Sequence, residues 1–457
     1  MGKKEKTIFV CQECGYESPK WMGQCICGSW NTMVEERDIR EKPVKSLITS
    51  SEKPHAISSI RSGMYDRLDT HIQELNRVLG GGLVLGSVTL LSGEPGIGKS
   101  TLILQTGYEI AKKYGTVLYV SGEESEEQIK MRAERLHAIA DGLMVVSETN
   151  VHAIEQHIED LKPVFVIIDS IQTLFTPELS SAPGSVSQVR ECANHIVRIG
   201  KMKKIPVFLI AHVTKTGELA GPRVLEHLVD TVVHFSGERG QELRVIRAFK
   251  NRFGPTSEIG VFEMKEEGLV QVPNPSEIFL EGVHADTEGA VVVASLEGSR
   301  PLLVEIQALV VPTNLNFGRR TAIGIDINRL NLILAVLEKK IGIPLVNQDV
   351  YVNAAGGLKP EGTSSDLGVA LAIYSSFKGI PAATTTTVAA GEIGLTGELR
   401  SVSNMEKMIK EASKMGFKRC ILPEKSLKNI KKDSQMKLIG VSTLQEAIEQ
   451  MFHPEKF

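Results

Sequence analysis

The sequence predicts an α/β protein, with a mostly parallel sheet covered by helices on both faces and a second, α+β domain after it. Three observations predict this class. From about residue 67, short apolar runs alternate with helical patterns, as in Thr116–Ser121, Val164–Ser170 and Pro206–His212. A run that is apolar at successive positions is buried on both faces, as strands inside parallel sheets are. Between the first such run, Ser87–Leu91, and the helical stretch Ser100–Lys113 lies the octapeptide Gly93-Glu94-Pro95-Gly96-Ile97-Gly98-Lys99-Ser100. Beyond Pro273-Asn274-Pro275-Ser276 the pattern changes to a hairpin signal. The segments Gly289–Ser295 and Pro301–Val310 flank a Glu-Gly-Ser-Arg turn, and mixed helices and strands follow.

Taken in order, the chain divides into four stretches. Residues 1–36 carry Cys11-x2-Cys14 and Cys25-x-Cys27. Two cysteine pairs on tight turns, about ten residues apart, suit a tetrahedral zinc ribbon, and a segment this short needs the metal in order to fold. The second pair is one residue tighter than the usual spacing, and a redox dithiol is the competing reading. Trp21 and Trp30 are expected to cover the cysteine turns. Cys192 and Cys420 stand alone and are expected to be small core residues. Residues 37–66 are charged and serine-rich with two prolines, a linker with room for a short strand docking on the next domain.

Residues 67–274 form the α/β domain. His71–Leu79 reads as a helix stopped by Gly80-Gly81-Gly82. Helices are also expected at 125–139, Val151–Leu161 and Ser187–Lys203, with a strand at Leu143–Val146. Residues 229–272 read as an antiparallel extension. Residues 275–457 form the second domain, with helices at 328–341, 366–378 and 404–415 and strands at 349–354, 387–390 and 419–422.

The octapeptide fits G-x-x-x-x-G-K-[ST]. Its glycines let the backbone curl so that N–H groups point at a phosphate, and the following helix adds its positive dipole end. Lys99 is expected to reach the β- and γ-phosphates of a nucleotide and the Ser100 hydroxyl to ligate Mg²⁺, with Thr101 one residue further into the helix. Ligands of such sheets bind at the carboxyl ends of the strands. Asp169 ends an apolar strand, where it can hold the Mg²⁺ shell through water. Glu123 lies just past the second strand and can orient or deprotonate the attacking water. Glu124 is the competing candidate, and both can instead be solvated caps of the helix beginning at Ser125. His212 ends the last core strand, either as a sensor of the γ-phosphate or as a structural histidine. In Lys250-Asn251-Arg252-Phe253-Gly254 two cations are spaced to share one face of an extended strand. They form either an ordinary solvated turn or a finger for transition-state charge on a neighbouring subunit's nucleotide.

Together these residues resemble the RadA (Sms) family of bacterial DNA repair proteins. The resemblance runs from the four-cysteine segment and Trp30-Asn31-Thr32 through GEPGIGKST, Tyr119–Glu124 and KNRFG to a C-terminal domain similar to that of Lon proteases. It implies a RecA-like P-loop ATPase core between a zinc ribbon and a Lon-protease-like domain. It also implies an ATP-driven DNA motor that promotes branch migration of recombination intermediates beside RecA. Such a motor forms a homo-oligomeric ring, taken as a hexamer. Residue by residue, Lys99 and Ser100 match the Walker A pair, Asp169 the Walker B aspartate and Glu123 the catalytic glutamate. Lys250 and Arg252 match the family pentapeptide, linked to both nucleotide and DNA.

A motor on single-stranded or branched DNA needs cationic, mobile loops. Residues 175–190 and 213–223 are rich in Gly, Ser and Pro and carry Arg190, Lys215 and Arg223, and Arg319-Arg320 follows Phe317 in the second domain. The net charge of −3 gives no general signal for nucleic acid. Two other classes stay open: an ATP-dependent protease of Lon type, and a nucleotide-switched kinase or scaffold on a RecA core. Against proteolysis, Ser364 falls at the Lon serine position, but Glu406 falls at the lysine position. Lys407 is one residue later and therefore turned by about 100° on a helix. With no apolar run of eighteen residues and no apolar signal core at the N-terminus, the protein is expected in the cytoplasm, with no membrane association.

Overall fold

The computed structural model describes residues 7–11, 16–37, 66–212, 222–237, 242–284, 287–313, 318–355, 360, 362–428, 430 and 436–453. The chain divides into two compact units, Met1–Gln271 and Val272–Phe457. The N-terminal segment is a three-stranded antiparallel sheet of β1 (Thr7–Cys11), β2 (Glu17–Ser18) and β3 (Met33–Arg37), in the order β2-β1-β3.

The α/β region opens with β4 (Arg67–Leu68), α1 (Gln73–Leu79) and β5 (Leu83–Val84). β4 pairs with β5; the short strand allowed for in the linker falls on residues 38–65, outside the described residues. There follow β6 (Val88–Gly93), α2 (Lys99–Tyr114), β7 (Val117–Ser121), α3 (Glu126–Arg135), β8 (Leu143–Ser147), α4 (Val151–Leu161), β9 (Phe165–Asp169), α5 (Val186–Lys203), β10 (Val207–His212) and α6 (Pro222–Leu228). The region closes with β11 (Thr231–Ser236), β12 (Leu243–Asn251), β13 (Ile259–Lys265) and β14 (Gly268–Gln271). These strands form one sheet in the order β14-β13-β12-β11-β6-β10-β9-β7-β8. It is parallel from β11 to β8 and antiparallel from β11 to β14.

Alternation explains the uninterrupted apolar runs. In β9, Phe165 and Ile167 enter a core with Leu102, Tyr119 and Phe208, while Val166 and Ile168 enter a second core with Val120, Ile154 and Ile196. One strand thus serves both faces. Cys192 lies in the second of these cores and Cys420 in the core of the other unit, and burial pushes each thiol up to about 12.

The expected helix at 125–139 is shorter. Ser125 caps α3 in a reciprocal box with Gln128, and the helix ends at Arg135. The segment 175–184, expected as a mobile loop, is stapled instead. The buried Gln188 side chain accepts from Thr176 N and donates to the carbonyls of Thr176, Leu179 and Ser181. A glycine- and serine-rich composition does not show such a staple, because the anchor comes from the helix that follows.

In the second unit, α7 (Pro275–Phe279) precedes the hairpin β15 (Ala290–Glu297) and β16 (Arg300–Pro312). Then come β17 (Arg320–Ile323), α8 (Ile327–Val336), β18 (Gln348–Ala354), α9 (Asp366–Lys378), β19 (Thr387–Ala389), α10 (Met405–Lys414) and β20 (Arg419–Pro423), with β21 (Lys437–Val441) and α11 (Leu444–Phe452) last. The mixed sheet runs β17-β18-β16-β15-β19-β20-β21. The expected helix 328–341 is α8, continued by a π-helical turn over Leu337–Ile341. No helix among the described residues is long and apolar enough to cross a membrane.

Candidate active site and metal centre

The octapeptide joins β6 to α2, so its backbone curls at the carboxyl edge of the sheet. Gly98 has φ +114°, and a Cβ there would come within 2.7 Å of Met264 Cε. The positive φ is what calls for glycine here, and the Met264 methyl packs against the space its missing side chain leaves. Gly93, Glu94, Pro95, Gly96 and Ile97 complete the loop. Ile97 is buried, and its carbonyl accepts from Arg244 Nε at 3.1 Å.

Lys99 is the first residue of α2 and is 3% exposed. Its Nζ donates to the carbonyls of Gly93 and Glu94 at 2.8 and 2.9 Å. Burial lowers its pKa to about 8, against the opposing fields of Asp169 and Glu123. A desolvated ammonium beside two carboxylates is suited to receive a polyphosphate. Ser100 and Thr101 follow in the first turn of α2, where N–H groups lack helical partners.

Asp169 ends β9 and is 9% exposed, and its Oδ2 accepts a 2.6 Å hydrogen bond from Tyr119 OH on β7. Burial, and secondarily Asp169, raises the Tyr119 pKa well above its ordinary value, so this hydroxyl keeps its proton and donates. The Asp169–Ser170 peptide is cis. Ser170 Oγ donates to Glu123 Oε1 at 2.6 Å, and His212 Nε2 lies 3.4 Å from the same oxygen. Glu124 turns away to pair with Arg132 of α3. Glu123, Asp169, Ser170 and His212 thus form one group at the strand ends, and Glu124 belongs to the helix cap. The hydroxyl of Ser100 and the carboxylate of Asp169 are hard oxygen donors of the kind Mg²⁺ takes.

Lys250 and Arg252 lie elsewhere. Along the sheet, Thr89 is in register with Thr231 and Thr231 with Asn251, whereas Gly93 is in register with Phe235 and Phe235 with Ile246. The pentapeptide is therefore at the start of β6, about 13 Å along the strands from Gly93 at roughly 3.3 Å per residue. Lys250 Nζ donates to the carbonyls of Glu226 and Val229 at 2.7 and 2.8 Å. Arg252 Nη1 is 3.1 Å from Asp230 Oδ1. Asp230 is buried, lies 3.4 Å from Lys201 Nζ, and accepts from Val88 N at 3.1 Å. The pentapeptide is a built turn rather than a loose one. Asn251 Oδ1 accepts from Phe253 N, Arg67 donates to Phe253 O, and Gly254 is pressed on Gly80, where a Cβ would meet the Gly80 Cα at 2.9 Å.

In the ribbon, Cys11, Cys25 and Cys27 bring their Sγ atoms within 4.8 Å of one another. Cys11 Sγ and Cys27 Sγ are 3.9 Å apart, against about 3.8 Å between sulfurs of a tetrahedral site with Zn–S bonds of 2.3 Å. The tight Cys25-x-Cys27 turn, closed by Gly28 N to Cys25 O, does reach, and the donors suit zinc. Cys14 lies outside the described residues. Trp21 and Trp30 do not cover the turns: they are 54% and 68% exposed, and Phe9, Met22 and Met33 pack there instead.

Of the cations expected to meet DNA, Lys215 and the Arg223 side chain lie outside the described residues. Arg320 is engaged with the carbonyls of Arg319, Leu345 and Gln348, whereas Arg319 is exposed. Ser364 is buried, with Ser295 Oγ 3.5 Å from its hydroxyl, and Glu406 pairs with Lys410. Sequence reasoning missed Tyr119, Ser170, Arg244 and Asp230. Tyr119 was legible as the one polar-tipped residue inside an apolar strand; the others depend on strand register.

Residues 57–218 match the AAA domain family, residues 9–35 the rubredoxin metal-binding domain, and residues 328–426 the family of the ChlI subunit of Mg-chelatase. The chain is 52% identical to the DNA repair protein RadA of Halalkalibacterium halodurans over 98% of both chains. It is 50% identical to those of Bacillus subtilis, over 97% of this chain and 98% of the relative, and of Listeria monocytogenes, over 98% of both. A P-loop ATPase domain, a cysteine metal site and identity of this order along nearly the whole length lead to one conclusion: the chain belongs to the RadA family of DNA repair proteins.

Proposed function

We propose that this chain is a DNA-dependent ATPase that drives branch migration of recombination intermediates beside RecA. It would work on single-stranded and branched DNA as a homo-oligomeric ring, with a hexamer as the expected form. The observation that carries this reading is the separation of two chemistries along one sheet. Lys99, Glu123, Asp169 and His212 surround the phosphate loop, while Lys250 and Arg252 stand at the opposite end. Cations placed there do not serve their own loop, so they are set to act on a neighbour's nucleotide or on DNA.

In this reading Lys99 exchanges the Gly93 and Glu94 carbonyls for the β- and γ-phosphates. Ser100 and, through water, Asp169 would hold Mg²⁺, which would supply charge neutralisation on the phosphates. Tyr119 fixes the rotamer of Asp169. Glu123, oriented by Ser170, holds the attacking water in line and takes its proton. His212 lies 3.4 Å from Glu123 and is the last residue of β10, so it can report γ-phosphate loss towards residues 213–221. In the second unit, Arg319 is the better placed of its pair to meet a DNA phosphate.

The protease reading has less support, because Ser364 is buried and Glu406 cannot supply a depressed-pKa amine. The test is ATP hydrolysis with and without single-stranded DNA across a salt series. Stimulation that weakens with salt supports the motor. Stimulation by unfolded protein instead would favour the protease, and stimulation by neither would favour the nucleotide-switched scaffold.

A further inference from the structure

A second cluster of metal-ligating side chains lies away from both the phosphate loop and the cysteines. His152 and Glu155 sit three residues apart on α4, which places them on one face of that helix. His195 faces them from α5. The candidate ligand atoms of these three residues lie within 4.8 Å of one another. Glu178, in the stapled segment after β9, stands outside that group of three but touches one of its members: its Oε1 is 2.6 Å from His152 Nε2. Glu155 Oε2 is 2.7 Å from His195 Nε2. The two imidazole rings meet edge to face, with centroids 5.1 Å apart and planes at 86°.

We propose that His152, Glu155, His195 and Glu178 form a binding site for a divalent transition metal of the Zn²⁺ class. The donor set is two imidazoles and two carboxylates, whose charge balances a dication, and it mixes nitrogen and oxygen as zinc sites do. Ligand atoms of a tetrahedral site with bonds of 2.0–2.1 Å are about 3.3 Å apart. To reach that size the 2.6 and 2.7 Å pairs must open, which side-chain rotation allows because His152 and Glu178 are 40% and 61% exposed. Two further contacts bear on the site. Thr176 Oγ1 donates to Glu178 Oε2, which orients that carboxylate. Arg198 Nη2 lies 3.3 Å from His195 Nδ1. A metal at Nε2 displaces that nitrogen's proton and leaves Nδ1 to carry one, so Arg198 must swing away. It therefore opposes binding. An occupied site would fasten α4, α5 and residues 175–178 together, immediately beyond Asp169 and its β9 strand.

Co²⁺ is the probe, added to full-length protein whose ribbon already holds zinc. The expected result is one further equivalent of Co²⁺ with visible d–d bands and no thiolate charge-transfer band near the ultraviolet. His195→Gln should weaken that equivalent at least tenfold. So should Glu178→Gln, an exposed change that leaves the core untouched. Arg198→Ala should tighten it, and Cys25→Ser should leave it in place. Absence of the extra equivalent, or its persistence in both His195→Gln and Glu178→Gln, overturns the proposal.

Discussion

Replacing Arg252 with alanine separates a chemical role from a structural one. The Arg252 side chain is 55% exposed while its partner Asp230 is 5% exposed. An ion pair of that kind contributes about 1 kcal/mol or less once solvent screening is counted. After the change, Asp230 keeps Lys201 Nζ at 3.4 Å and the hydrogen bond from Val88 N at 3.1 Å, so no buried carboxylate is stranded. A loss of about 1 kcal/mol lowers the Tm of a domain of roughly 200 residues by about 2–4 °C. ATP affinity should stay within about threefold, because the pentapeptide is about 13 Å along the sheet from Gly93. If Arg252 serves a neighbour's nucleotide, DNA-stimulated hydrolysis should fall by about 10³-fold. Mixing Arg252→Ala subunits with Lys99→Ala subunits should then restore part of the rate, since mixed interfaces pair an intact loop with an intact finger. The assays are thermal unfolding, nucleotide titration and steady-state hydrolysis. Near-normal hydrolysis in Arg252→Ala refutes the finger. A fall in Tm above about 10 °C would refute the reasoning in another way, by showing that the residue holds the fold.

Four other outcomes are expected. Lys99→Ala should abolish hydrolysis and strongly weaken ATP binding, and Asp169→Asn should spare binding but lose Mg²⁺-dependent turnover; normal turnover in either sinks the nucleotide site. Tyr119→Phe should lower turnover at least tenfold with ATP affinity within a few-fold, because only the orientation of Asp169 is lost; an unchanged rate would make Tyr119 a core residue alone. One thiolate-bound zinc per chain should be released by a mercurial reagent, and truncation near residue 50 should leave ATP hydrolysis intact; protein that releases no zinc contradicts the ribbon. Casein should survive incubation with the protein and ATP, and digestion that disappears in Ser364→Ala would restore the protease reading.

The phosphate loop was legible because its chemistry is local: glycine spacing, a lysine and a hydroxyl within eight residues, all in one turn. The sheet was legible because each core strand is apolar on both faces, a pattern that depends only on alternation within the strand. Which of Glu123 and Glu124 faces the other strand ends was not legible. It depends on Ser170 and His212, which come from β9 and β10 and meet Glu123 only through strand order. The pentapeptide was visible as a motif, but its distance from the loop was not, since that follows from the register of β6, β11 and β12. The tryptophans misled for the opposite reason. A large apolar side chain is expected inside, yet this small sheet is packed by Phe9, Met22 and Met33, leaving Trp21 and Trp30 outside.

The same distinction governs the second unit. Pro360–Leu367 keeps the local look of a nucleophile segment, but nucleophilic chemistry needs a base brought from a different element. What other elements bring here is structural. Arg329 of α8 pairs with Asp366, which burial pushes upward in pKa against the pull of that guanidinium, and Ile393 N donates to the same carboxylate. Asp366 is buried while Arg329 is partly exposed, and losing the arginine would leave a buried carboxylate with only the Ile393 N–H, so this segment is held in place by interactions that serve packing. Ser364, two residues away, faces Ser295 and meets no amine among its hydrogen-bond partners in the described residues. From Gly362 to Leu367 the described part of this motif is accounted for by these packing contacts.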